Sequence, residues 1–231
     1  MSEQSADLTE ESSGKKHLPF LVELVVLLAV ALGLAITIKA FFVQAFYIPS
    51  GSMNDTLVKN DRVLVEKPSY WRGGPSRGDV VVFADPGGWL DASESAGPAN
   101  GFTKLLEKVG LYPTGGHLVK RVIGVGGDHV VCCDSKGRVT VNDVPLNEGS
   151  YLASGEKPSL VEFDRTVPDG FLWVMGDNRS HSADSRYHLG DPGGGFVPVS
   201  DVVGKLFAVV WPAGHAKLLH RPATFAEIGD E

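Results

Sequence analysis

The 231-residue chain has two cysteines, Cys132 and Cys133, and they are adjacent. Neighbouring cysteines cannot staple distant parts of a fold and lack the spacing of a metal site, so they are either two thiols or one vicinal disulfide. Basic charge is also scarce. The 21 Lys and Arg are outnumbered by 28 Asp and Glu, for a formal net charge of −7. No basic stripe runs through the sequence, which argues against nucleic acid as the partner. No convincing long helical pattern follows residue 40. What the chain does have is 43% hydrophobic content, enough for one membrane segment and one domain with a real core.

Residues 1–17 are polar and acidic up to Lys15 and Lys16 and read as a disordered cytoplasmic tail. Residues 18–40 form an apolar stretch interrupted by Pro19 and Glu23 and ending at Lys39, long enough for a transmembrane anchor. A cleaved leader would have a shorter apolar core followed by small residues, so the sequence favours a retained span. The lysines before it place the N-terminus in the cytoplasm and the rest of the chain outside, at the plasma membrane. Glu23 lies near the cytoplasmic end, where it reaches the interface.

The remainder, residues 41–231, reads as a mostly-β extracytoplasmic domain. Residues 41–48 are aromatic and β-branched and lead into a strand. Further strands are expected at 62–66, 79–83, 117–125, 171–175 and 203–210, with a hairpin from 129–133 and 138–141 after a Gly-Gly-Asp turn. Residues 84–116 are bounded by Gly and Pro and read as a surface insertion, with one short helix expected at 103–109.

Pro49-Ser50-Gly51-Ser52-Met53 follows the span. Pro49 holds the preceding residue extended, and Gly51 permits a sharp turn that leaves the Ser52 hydroxyl exposed as a candidate nucleophile. Such a serine needs a base. Lys120 shares a strand face with Leu118 and Val122, whereas Arg121 shares the other with Val119 and Ile123. A lysine on an apolar face loses hydration and its pKa falls, which makes it a base; the alternative is a side chain that lies along the sheet and snorkels to water. A Ser-His-Asp arrangement through His181 and Asp184 remains open, as does a Ser-x-x-Lys pattern at Ser154 to Lys157, although no Ser-Asp-Asn or Lys-Thr-Gly follows it. A membrane-anchored β adaptor without activity would leave Ser52 and Lys120 unexplained. Residues 176–186, Gly-Asp-Asn-Arg-Ser-His-Ser-Ala-Asp-Ser-Arg, read as an irregular loop held by its own polar contacts.

Three motifs, Ile48 to Met53, Val119 to Asp128 and Gly176 to Arg186, occur behind an N-terminal anchor in the order seen in bacterial type I signal peptidases, and the chain resembles that family. The resemblance implies a serine/lysine endopeptidase without cofactor or metal, which cuts exported preproteins after small residues at −1 and −3. It implies Ser52 as nucleophile and Lys120 as general base, with Ser50 Oγ and the Ser52 N–H as oxyanion hole. It further implies that Ser182 orients Lys120 and that Asp184 and Arg186 brace the loop. Phe46, Ile48, Met53 and Leu118 would line shallow apolar substrate pockets. The partners implied are preproteins, the lipid bilayer and the export machinery. Positions 180 and 181 are Ser and His where many relatives have Asp and Asn, so no ion pair is expected from position 180.

Overall fold

The computed structural model describes residues 19–67, 70, 73–90 and 116–229, the side chains of 37–41 excepted. The expected tail, nearly all of the expected insertion and its short helix lie outside the described residues. The chain divides into two units, residues 1–36 and 37–231.

Helix α1 spans Phe20–Phe41. Leu, Val and Ala give it strong helix propensity or branched bulk on every side, and Pro19 sits just before it, where a missing N–H costs nothing. Its described side chains are apolar all round apart from Glu23, and Leu21, Leu27, Leu28 and Leu32 are exposed. Among the described residues no helix is long and apolar enough to cross a membrane. The described side chains of α1 stop at Ile36, short of the roughly 20 positions that a span requires.

The second unit is built on β-strands, and after α1 the described residues contain only short 3-10 turns besides them. Strands β1 (Val43–Tyr47), β2 (Arg62–Glu66), β3 (Val80–Ala84) and β4 (His117–Val125) are followed by β5 (His129–Cys132), β6 (Val139–Val141), β7 (Val144–Pro145) and β8 (Phe163–Thr166). Then come β9 (Phe171–Met175), β10 (Val197–Pro198), β11 (Val202–Trp211) and β12 (Lys217–Leu218). The larger sheet has the order β1-β2-β11-β3-β4-β9-β10, with β12 against β11, and the smaller has the order β7-β6-β5-β8. Every pairing is antiparallel.

Each expected strand forms, with ends shifted by a residue or so. In β2 the alternation works as read: Val63 and Val65 are fully buried and Arg62 is exposed. The turn at Gly126 and Gly127 is closed by Asp128, whose carboxylate accepts the Val125 N–H, the Asn142 amide and a bidentate pair from Arg77. Cys132 and Cys133 form a vicinal disulfide at the end of β5. Among the described residues three apolar clusters form, one around Trp173 and Ile123, one around Leu57 and Val82, and one around Phe83 and Val122.

Candidate active site

The loop after β1 is folded by its own backbone. Ile48 donates to Asp61 O and Asn60 to Ile48 O, while Asn54 reaches back to Gly51 O, so residues 49–54 are thrown into a tight turn. Ser52 lies in that turn and is 7% exposed. Lys120 comes from the middle of β4, opposite Val81 of β3, and is 4% exposed. Its Nζ lies 2.8 Å from Ser52 Oγ. Leu118 and Val122, two residues either side on the same face, are buried in one cluster. The snorkelling alternative therefore fails, because the amine ends on a buried hydroxyl. Ser50 is exposed, and its Oγ lies 3.3 Å from Ser52 Oγ.

The loop from Gly176 to Arg186 holds this turn from the other side. Asn178 donates its backbone N–H to Ser52 O at 3.0 Å and its side-chain amide to Gly51 O at 2.9 Å. Sequence reasoning did not single out Asn178. The loop is locked by two buried ion pairs. Arg186 binds the Asp184 carboxylate through two N–H groups and also donates to Arg179 O, while Asp184 accepts the Gly176 N–H. Asp184 and Arg186 are thus paired with each other, and Asp184 ties Gly176 to the far end of the loop. Arg121, on the face of β4 opposite Lys120, binds Asp177 through two N–H groups, donates to Gly78 O, and lies over the Tyr151 ring.

A further pair, Glu148 with Arg179, was not visible in the sequence. Arg179 is fully buried, grips both carboxylate oxygens of Glu148, and donates to Gly176 O and Pro158 O. Burial alone would depress the guanidinium's pKa, but Glu148 outweighs it and holds the pKa above its ordinary value. Burial, with Glu148 beside it, pushes the neighbouring Tyr151 hydroxyl well above the usual phenol range, so the tyrosine stays a donor to Glu148.

Ser182 differs from expectation. It is buried close by, but its Oγ makes no hydrogen bond, so the expected contact with Lys120 is not formed. The extended backbone at Ser182 turns the hydroxyl towards Gly176 instead. A Cβ added at Gly176 would lie 2.2 Å from Ser182 Oγ and 2.5 Å from Ser52 O. Gly176→Ala should therefore push the Ser52 turn away from Lys120 and lower kcat by on the order of 10²-fold, since small misplacements of paired groups are that costly. A steady-state assay showing near-normal turnover would mean that the turn has slack the packing does not suggest.

The alternatives are not assembled. His181 is exposed, with Ser180 and Asn178 about its ring, and Asp184 is committed to Arg186 and Gly176. Ser154 and Lys157 are exposed, and Glu156 between them receives the Ser180 N–H and hydroxyl, so position 180 forms no ion pair. Among the described residues no group of three or more His, Cys, Asp or Glu is placed to hold a metal ion.

A cleft of about 470 Å³ opens at Ser52 and Lys120. Phe46, Ile48, Met53 and Leu118, the four expected substrate contacts, all line it, and so do Val82 and Trp89. A larger cavity of about 650 Å³ lies beyond Thr56 and Arg121 and contains neither Ser52 nor Lys120. In the smaller cleft a buried hydroxyl and a buried amine meet beside apolar walls. Such a pair can acylate and deacylate a serine.

Comparison with known proteins points the same way. A family model described as signal peptidase, peptidase S26, matches residues 21–211. A probable signal peptidase I of Mycobacterium leprae (strain TN) is 39% identical over 92% of this chain and 83% of its own. Signal peptidase I of Mycobacterium tuberculosis (strain ATCC 25618 / H37Rv) is 40% identical over 82% of this chain and 72% of its own. Probable signal peptidase I-2 of Synechocystis sp. (strain ATCC 27184 / PCC 6803 / Kazusa) is 36% identical over 92% and 85%.

Proposed function

Because the chain belongs to the signal peptidase family, peptidase S26, we propose that it removes signal peptides from exported preproteins with Ser52 as nucleophile and Lys120 as general base. The observation that carries this reading is the 2.8 Å approach of the Lys120 amine to the Ser52 hydroxyl, with both groups out of water.

In the proposed mechanism neutral Lys120 takes the proton from Ser52 as Oγ bonds to the scissile carbonyl carbon. The oxyanion is received by the Ser52 N–H and the Ser50 hydroxyl. The Lys120 ammonium then returns its proton to the leaving nitrogen of the mature chain, which breaks the C–N bond and leaves the signal peptide as an ester on Ser52. Water, deprotonated by Lys120, attacks that ester and restores the free hydroxyl. Phe46, Ile48, Met53 and Leu118, which line the cleft, contact the small side chains at −1 and −3. Neither metal nor cofactor takes part.

The anchor reading rests on the sequence of residues 18–40, which is apolar apart from Pro19, Glu23 and Lys39 and long enough in residue count to span a bilayer as a helix. Residues 1–17 then form the cytoplasmic tail, 18–40 a single span and 41–231 the extracytoplasmic domain, with an insertion at 84–116 and the export machinery close by. Protease added outside intact spheroplasts should digest the domain and spare the tail; digestion of the tail alone would reverse the orientation. The activity itself is tested by incubating the full chain in detergent with a purified preprotein and sequencing the new N-terminus. Release of the mature chain after the small −1 residue is expected, and an uncut preprotein would count against the reading.

A further inference from the structure

The segments that carry Ser52, Lys120 and the loop from Gly176 meet a second time, on the far side of β4. There Thr56, Arg121 and Asp177 form a triangle of side chains. Thr56 lies four residues after Ser52, Arg121 directly after Lys120, and Asp177 directly after Gly176. The Thr56 hydroxyl donates to Asp177 Oδ2 at 2.5 Å and is approached by Arg121 Nη2 at 3.4 Å. A hydroxyl has one proton, and with Asp177 holding it the 3.5 Å approach of Thr56 to Tyr151 O is only a contact. Asp177 is fully buried and receives two N–H groups from Arg121, so its carboxylate is a charged and therefore strong acceptor.

The turn itself aims this hydroxyl. Asp55 has a left-handed φ of 71° and accepts the Ser154 N–H, while Leu57 is fully buried and donates to Met53 O at 2.6 Å. Thr56, between them, is left facing Arg121 rather than Lys120. The turn that holds Ser52 is thus tied to one loop at two points. Asn178 grips the carbonyls of Gly51 and Ser52, and Asp177 receives Thr56. Asp177 is in turn fastened to β4, the strand of Lys120, by Arg121. Removing the Thr56 hydroxyl leaves the Arg121 and Asp177 pair whole and cuts only its link to the turn. Thr56 lines the larger cavity and is not among the residues of the cleft at Ser52.

We propose that Thr56 is a positioning residue. Acting through Asp177 and Arg121, its hydroxyl locks the Ser52 turn to the strand of Lys120 and so sets the approach of the serine to the amine. The proposal rests on the peptidase reading above. Because Thr56 stands outside the cleft, its effect falls on turnover and not on substrate binding.

The test uses the full chain in detergent, one purified preprotein and three variants, with urea unfolding to confirm that each is folded. Thr56→Val keeps the branched shape and lacks the hydroxyl. It should lower kcat by at least about tenfold with KM little changed, within the range that small misplacements of reacting groups cost. Thr56→Ser keeps the hydroxyl and should recover most of that loss. If the valine variant does not fold, Thr56→Ala takes its place with the same expectation. Wild-type kcat in folded Thr56→Val, or a rise in KM alone, overturns the proposal. Equal losses in the serine and valine variants overturn it too, because shape and not the hydroxyl would then matter. If only the serine variant folds, the hydroxyl is a determinant of folding and the positioning role is likewise overturned. Failure of wild type to cut the preprotein overturns the peptidase reading, and this proposal with it.

Discussion

Lys120→Arg should fold and yet cut no preprotein. Arginine keeps the charge and much of the bulk, but a guanidinium is effectively never deprotonated in proteins, so it cannot take the Ser52 proton. The loss in kcat should be on the order of 10⁴-fold or more, equal to that of Ser52→Ala, because members of a catalytic unit fail together. The same argument fixes the sign of the pH dependence. The amine must be neutral to act, and its burial beside Leu118 and Val122 disfavours the ammonium, so wild-type kcat/KM should rise with pH along an acidic limb that reports the amine. Near-normal cleavage by Lys120→Arg would remove the lysine from the chemistry.

The second large effect concerns stability. Arg179→Met leaves Glu148 buried with its main cation gone, and unpaired buried charges of this kind cost about 3–5 kcal/mol. Urea unfolding followed by tryptophan fluorescence should record a loss of that size. Replacing both partners, with Glu148→Leu added, should recover part of it, because no stranded carboxylate remains. A loss below about 1 kcal/mol in the single variant would show that water reaches Glu148 and that the pair does not hold the loop.

Much of the domain could be read from residue pattern. The period-2 alternation in β2 and the short apolar run of β3 came through because burial acts locally on each position. The strands not anticipated carry little pattern: β7, β10 and β12 have two residues each, and β8 is Phe-Asp-Arg-Thr with only Phe163 buried. These strands form because a neighbour offers an edge to pair with, and a neighbour's edge leaves no trace in the strand's own residues. The site follows the same division. The face of Lys120 was set by alternation along its own strand, but the partner of Arg121 lies 56 residues away and that of Arg179 lies 31 away. Such pairings depend on the completed sheet. Asn178 was missed because its role is a grip on the carbonyls of Gly51 and Ser52, made by a backbone N–H that any residue has and an amide that suits any loop. Ser182 is buried near Ser52 with a hydroxyl that meets no partner, and where that hydroxyl lies depends on the bare Cα of Gly176 beside it, which the sequence around Ser182 does not reveal.

The most direct test of the central claim is to quench the reaction of the full chain with a preprotein in acid within the first turnover and map the covalent adduct by mass spectrometry. The account predicts the signal peptide attached through an ester to Ser52, and its absence in Ser52→Ala. An adduct on any other residue, or mature protein released at the wild-type rate by Ser52→Ala, would contradict it.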